Sequence, residues 1–213
     1  EGKLYASNMI ELCAWLAEHR FSYTAELVDD SKTDIRAAIT GQLPAADVFI
    51  TSGGAWGSER DLIIKVAESL NWQGIYHRVR MGPGKPVGFG LIENKPIFIL
   101  PGGPPSNEMA FLQLALPALL KMKGESKVNF PVARARLSET VRGHKDWTDF
   151  IHAQLDKEKG QLIVRPAKLK SRLQSMARKE ALISIPEDRD EITAGERVEI
   201  QILEMSKFSS LSI

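Results

Sequence analysis

The hydrophobic period of this chain changes once, at Lys121–Ser126 (KMKGES), and that change constrains the fold more than any single motif. Before it, apolar residues recur every three to four positions in some stretches and form short continuous runs in others. Met9, Ile10, Leu12, Cys13, Leu16 and Ala17 mark a helix, and Ile35, Ile39 and Leu43 mark a second behind a Ser31 N-cap. Leu62, Ile63, Val66, Ala67 and Leu70 mark a third, and Met109, Leu112, Leu116 and Leu120 a fourth. Between them Phe21–Val28, Asp47–Thr51, Ile75–Arg80, Val87–Ile92 and Pro96–Leu100 read as strands, the last two as a hairpin turning at Glu93-Asn94-Lys95. After the change only strand-like runs remain: Val128–Leu137, Trp147–Leu155, Gln161–Val164, Ala181–Ile185 and Arg197–Leu203. The expectation is an α/β three-layer sandwich with a mostly parallel sheet over residues 1–126, followed by a small all-β, barrel-like domain over 127–213.

Charge excludes some partners. Lys plus Arg number 28 against 27 acidic residues, so no global field gathers nucleic acid or an anionic membrane. No apolar run approaches the roughly 18 residues of a membrane span. The single cysteine, Cys13, has no internal partner and is expected to be a buried thiol in a reducing compartment. With no charged-then-apolar leader, a cytoplasmic protein is expected; because a helical pattern starts almost at Glu1, a further segment, including a first strand, is expected upstream.

The chemistry lies in loops that follow strands, where ligands of α/β sheets collect. In SGGAWGSERD (Ser52–Asp61), Gly53 and Gly54 let amide hydrogens approach a phosphate-like anion, although a tight turn also needs glycine. MGPGKPVGFG (Met81–Gly90) encloses one cation, Lys85, between prolines and glycines that keep it aimed. LPGGPPS (Leu100–Ser106) brings backbone amides and the Ser106 hydroxyl to a helix start, as an oxyanion site or as a capped loop. Asp29-Asp30 suit a Mg²⁺ ion or a turn. The basic run RPAKLKSRLQSMARK (Arg165–Lys179) interleaves Ser171, Arg172 and Ser175 without an aromatic residue for base stacking, which suits an oxyanion better than a nucleic acid. His19 and His77 read as structural, unlike His144 and His152.

Taken together, SGG…RD, PGKPVGFG, LPGGPPS and SRLQSM, in this order, resemble the carboxyl-terminal half of MoeA-type molybdopterin molybdenumtransferases, relatives of the gephyrin E domain. The resemblance runs from Leu4 to about Leu203. It implies a molybdopterin-binding domain of the kind shared with MogA-type adenylyltransferases, then the family's fourth domain. It implies a reaction in which molybdate is inserted into adenylylated molybdopterin with Mg²⁺ or Zn²⁺ and AMP leaves. It also implies a homodimer, and a MogA-type adenylyltransferase as partner.

By position, Lys85 and Pro86 match the family's oxyanion loop and Ser106 its second proline-glycine loop. Ser52, Gly53, Gly54 and Asp61 match its pterin-phosphate loop, Asn8 its tyrosine-aspartate-x-asparagine motif, Asp29 and Asp30 its paired acids, and Ser171, Arg172 and Ser175 its serine-rich segment. Four positions depart. Gly82 replaces the first lysine of KPGKP, Ala6 the aspartate before Asn8, Trp56-Gly57 displaces a serine, and His152 takes the place of an arginine. The family's glycine-aspartate-glutamate strand and first two domains, which supply metal ligands, find no counterpart here. These departures leave a noncatalytic molybdopterin binder or a scaffold as the alternatives. A CinA-type hydrolase, which shares the α/β domain, lacks the β domain that follows.

Overall fold

The computed structural model describes residues 6–55, 62–167 and 171–204, with Arg172 described by its backbone alone. The chain divides into two compact units. One holds the chain up to Val79 together with Gly84–Ala115; the other holds Arg80–Pro83 and the chain from Leu116 onward.

The first unit begins with α1 (Ser7–Glu18) and α2 (Lys32–Gln42), the latter capped by Ser31, whose hydroxyl oxygen accepts the Asp34 N–H at 3.1 Å. Then come β1 (Phe49–Ser52), α3 (Leu62–Ser69) and β2 (Gln73–His77). A two-residue strand, β3 (Met81–Gly82), belongs to the second unit; β4 (Gly88–Ile92), β5 (Lys95–Leu100) and α4 (Pro104–Ala110) complete the first. Ile35, Ile39 and Leu43 of α2 and Ile64, Val66 and Ala67 of α3 bury against Ile97 and Ile99 of β5. The alternate β5 residue, Phe98, packs against Phe89 in a tilted pair with ring centroids 4.6 Å apart. The Lys95 ammonium binds the Leu43 and Ala46 carbonyls, tying the hairpin to the carboxyl end of α2, where a cation is favoured.

The sheet order is β1-β5-β4-β2, and it differs from a mostly parallel sheet: β1–β5 is parallel, whereas β4–β5 and β2–β4 are antiparallel. The cause of the β4–β5 reversal is the tight turn at Glu93 (φ +50°) and Asn94 (φ +63°), which admits only a hairpin. Phe21–Val28 takes no regular secondary structure and joins no ladder among the described residues, and Tyr23, Leu27 and Val28 of that segment are exposed. Cys13 is half-buried rather than buried.

A π-helical turn (Phe111–Ala115) ends the first unit, and the second continues with α5 (Leu116–Met122), then β6 (Val132–Leu137), β7 (Val141–Arg142), β8 (Thr148–Glu158) and β9 (Gln161–Pro166). A short α6 (Arg172–Ala177), β10 (Ala181–Ile185), β11 (Glu191–Ile192) and β12 (Arg197–Ile202) follow. The order β10-β12-β6-β9-β8 closes on itself through β8–β10, making a small barrel to which β3 is added beside β8. Closure leaves no free edge along this ring. Leu137, Ala153, Val164, Ile183, Ile200 and Ile202 fill its interior. Among the described residues no helix is long and apolar enough to cross a membrane.

The turn before β12 carries a local charge device. Arg189 hydrogen-bonds both Glu196 carboxylate oxygens at 3.1 Å, and the Thr193 N–H donates to one of them at 2.7 Å. Arg189 first, then that N–H, hold the Glu196 carboxyl below its ordinary value of 4.5. The stability Glu196 contributes is therefore present above pH 4.5 and is lost as pH falls through the lower folded-state value. Arg189→Gln is expected to move the Glu196 carboxyl midpoint, followed by carbon NMR, upward; an unmoved midpoint would contradict this account.

Candidate functional site

The loop after β1 is pinned from several directions. Its Gly53 N–H donates to the Leu100 carbonyl at 2.9 Å, and the Ala55 carbonyl accepts from His77 Nε2 at 2.7 Å. Gly53 (φ +105°) and Gly54 (φ +70°) take left-handed conformations that other residues resist. At Gly54 a Cβ would also lie 2.7 Å from Ile63 Cγ1. His77 is thus structural, as its sequence setting suggests.

Two asparagines meet at Ser52. Asn8 Nδ2, from α1, donates to Ser52 Oγ at 3.0 Å and to the Gly102 carbonyl at 2.9 Å. Asn107 Nδ2, from α4, donates to the same Oγ at 3.0 Å and to the Pro101 carbonyl at 2.7 Å. A carbonyl only accepts, so each amide must turn its NH₂ inward, and the second hydrogen of each reaches Ser52. Both lone pairs of the Ser52 hydroxyl are then occupied. Its own hydrogen is left to donate outward, from an exposed residue at the carboxyl end of β1. Gly102 closes the corner: a Cβ there would lie 3.6 Å from Gly53 Cα.

Asn8, Ser52, Gly53 and the Leu100–Gly102 loop are therefore brought together. Asn107 belongs with them although nothing in its sequence setting marks it out; it sits inside a helical run and is 1% exposed. The only available signal is a polar residue at a core-facing position of an amphipathic helix. Asp61 lies outside the described residues. Lys85 is half-buried, in a loop fixed through its carbonyl, which accepts the Val79 N–H at 3.0 Å and the Val87 N–H at 2.9 Å; Pro86 is buried. Ser106 is half-buried in the first turn of α4.

In the second unit, the Ser171 hydroxyl caps α6 by accepting the Gln174 N–H at 3.2 Å, and the Ser175 hydroxyl donates to the Ala167 carbonyl at 2.6 Å. Arg172 opens the same helix. His152 is half-buried on β8, opposite Leu182 of β10.

Asp29 and Asp30 occupy an exposed bend, where the Asp29 carbonyl accepts the Ser31 N–H at 2.7 Å. Among the described residues no three carboxylate, histidine or cysteine side chains converge as a Zn²⁺ centre would require. Two neighbouring carboxylates remain compatible with Mg²⁺, which takes one or two carboxylates and completes its shell with water and substrate phosphates.

Gly82 has a structural explanation. It faces Asp149 across the parallel β3–β8 pair, and a Cβ at Gly82 would lie 2.0 Å from Asp149 Oδ1. At Gly143 a Cβ would lie 2.7 Å from Oδ2. The carboxylate, only 10% exposed, accepts the His144 N–H and faces His144 Nδ1 at 3.2 Å. A carboxylate thus fills the space into which a side chain at position 82 would start.

Residues 1–121 match the family described as "Probable molybdopterin binding domain", and residues 134–203 match "MoeA C-terminal region (domain IV)". A molybdopterin biosynthesis protein of Methanocaldococcus jannaschii is 30% identical over 206 residues, covering 95% of this chain and 48% of that protein. Molybdopterin molybdenumtransferase 2 of Mycobacterium tuberculosis is 28% identical, over 93% of this chain and 51% of that protein. The crystal structure of a molybdopterin biosynthesis MoeA protein from Pyrococcus horikosii superposes with a TM-score of 0.80 at 29% identity, covering 95% of this chain and 49% of that one. The chain spans about half the length of these relatives. With the two matched regions in this order and the pinned Ser52 corner in the first, the chain belongs to the molybdopterin-binding-domain family in its MoeA form, joined to domain IV.

Proposed function

We propose that this chain forms the molybdopterin-binding part and domain IV of a molybdenumtransferase, which inserts molybdate into adenylylated molybdopterin with release of AMP. The observation that carries the reading is the Ser52 hydroxyl, turned into an outward donor by Asn8 and Asn107 at the glycine corner where a pterin phosphate would lie. In this scheme Lys85, Pro86 and Ser106 supply the oxyanion loops, Gly54 and Asp61 belong with Ser52 and Gly53 to the pterin-phosphate loop, and Ser171, Arg172 and Ser175 are further anion-binding residues of the β domain, 127–213. The same reading makes the protein a cytoplasmic homodimer that receives its substrate from a MogA-type adenylyltransferase. It also adds a strand from further upstream to complete a three-layer sandwich over 1–126. The outer edge of β1, unpaired among the described residues, and the exposed Tyr23, Leu27 and Val28 support that addition.

A second reading, a noncatalytic molybdopterin binder, draws on one specific feature: Asp149 occupies the slot beside Gly82, where the family has a lysine. Titration of the purified protein with molybdopterin and with molybdate separates the two. Binding of both supports insertion, and binding of the pterin alone supports the binder. If neither binds, the pterin assignment fails. Ser52→Ala is expected to weaken pterin binding by roughly tenfold, the worth of one hydrogen bond to a charged oxygen, with little change in stability.

A further inference from the structure

The outer wall of the barrel carries an unbalanced pair of charges. Along the antiparallel β6–β12 ladder Arg134 faces Glu199, an attractive pair, but Arg136 faces Arg197. Like charges directly opposite one another in a ladder repel. Arg136 and Arg197 are exposed, and neither makes an ion pair among the described residues. A third arginine, Arg165, lies on β9, two residues beyond the partner of Arg136 in the parallel β6–β9 pair, Ile163.

Beside Arg136 the surface opens into a depression of about 300 Å³, lined among others by Leu137, Ser138, Glu158, Arg165 and Gly195. Gly195 (φ +91°) leaves the space open, since a Cβ there would stand 3.7 Å from the Arg136 guanidinium. Glu158 and Asp156 hold the Nη2 and Nε of Arg165, so Glu158 is committed and Arg165 is fixed with Nη1 unengaged among the described residues.

We propose that this depression binds a tetrahedral dianion, a phosphate group, between the guanidinium fork of Arg136 and the Nη1 of Arg165. Arginine suits this role because its planar fork matches phosphate oxygens two at a time. A bound dianion would also relieve the repulsion between Arg136 and Arg197. The space exceeds a bare phosphate, and Ile163 in its wall would meet the organic part of a phosphomonoester.

The test follows thermal unfolding and calorimetric binding of the full chain in phosphate-free buffer, with inorganic phosphate and phenyl phosphate as probes and chloride at matched ionic strength as control. Parent protein is expected to bind and be stabilised. Arg136→Gln is expected to be at least as stable as the parent without phosphate, and to lose roughly tenfold or more in affinity. Lys85→Met is expected to keep the effect, which separates this site from the oxyanion loop of the other unit. Equal affinity for both probes identifies the free anion as ligand, and tighter phenyl phosphate binding an ester. Absence of binding, or equal binding by parent and Arg136→Gln, would overturn the proposal.

Discussion

Replacing Asn107 by leucine is expected to lower the stability of the first unit by about 3 kcal/mol and to weaken pterin binding in the same variant. The amide is 1% exposed, so water does not reach the groups it would abandon. Leucine leaves the Pro101 carbonyl without its 2.7 Å donor and frees one lone pair of Ser52. A stranded buried acceptor costs about 1–3 kcal/mol, and shape mismatch in a closed site adds to it. For a chain of this size that corresponds to a midpoint lower by roughly 6–12 °C.

Asn8 makes the matching bonds from a more open position, and water replaces what its removal exposes. Asn8→Ala is expected to cost only about 1 kcal/mol. Thermal unfolding of the two variants, with Ser52→Ala beside them, separates holding from touching. Asn107→Leu should lose stability and binding together, Ser52→Ala binding alone. If Asn107→Leu unfolds with the parent, the two loops are held by something else.

The contrast between Asn107 and its neighbours shows which parts of the site the sequence discloses. Glycines declare themselves because backbone geometry restricts them: Gly53 and Gly54 both have positive φ, and the loop they form is where the sequence places it. The barrel strands are equally legible. Ala181–Ile185 coincides with β10, and β12 ends one residue before the expected Leu203. Their runs are short, apolar and bounded by turn residues.

What escapes is pairing. Phe21–Val28 has strand composition, yet a strand needs a neighbour, and no described residue provides one. The antiparallel β4–β2 pairing in the first sheet depends on which edge accepts β2, a tertiary choice that no local period encodes. Asn107 and Asp149 were missed for the same reason. A buried polar residue is defined by partners distant in sequence: Ser52 for the first, Gly82 for the second.

Gly82→Lys is expected to destabilise the second unit by about 3 kcal/mol, and Asp149→Ala in the same chain to recover much of that loss. The lysine Cβ would arrive 2.0 Å from Asp149 Oδ1, so the carboxylate must leave the slot. Rotation alone does not relieve it, because Gly143 marks the other wall, with Oδ2 2.7 Å from where its Cβ would be. Displacement breaks the bond from the His144 N–H and the contact with the imidazole, leaving a nearly buried carboxylate with fewer donors. Asp149→Ala alone loses those bonds but removes the buried charge with them. The two substitutions should therefore be strongly non-additive, with a coupling of about 2 kcal/mol in a double-mutant cycle.

The functional consequence divides the two readings of the protein. If the loop Met81–Pro86 grips an oxyanion, Gly82→Lys/Asp149→Ala adds a second cation to Lys85 and should tighten molybdate binding by roughly tenfold. If Asp149 fills the slot because this loop holds no oxyanion, the double variant regains stability and its molybdate affinity does not move. Additive stability losses would instead show that the carboxylate and the glycine are not matched to each other, and the structural reason for Gly82 would fall.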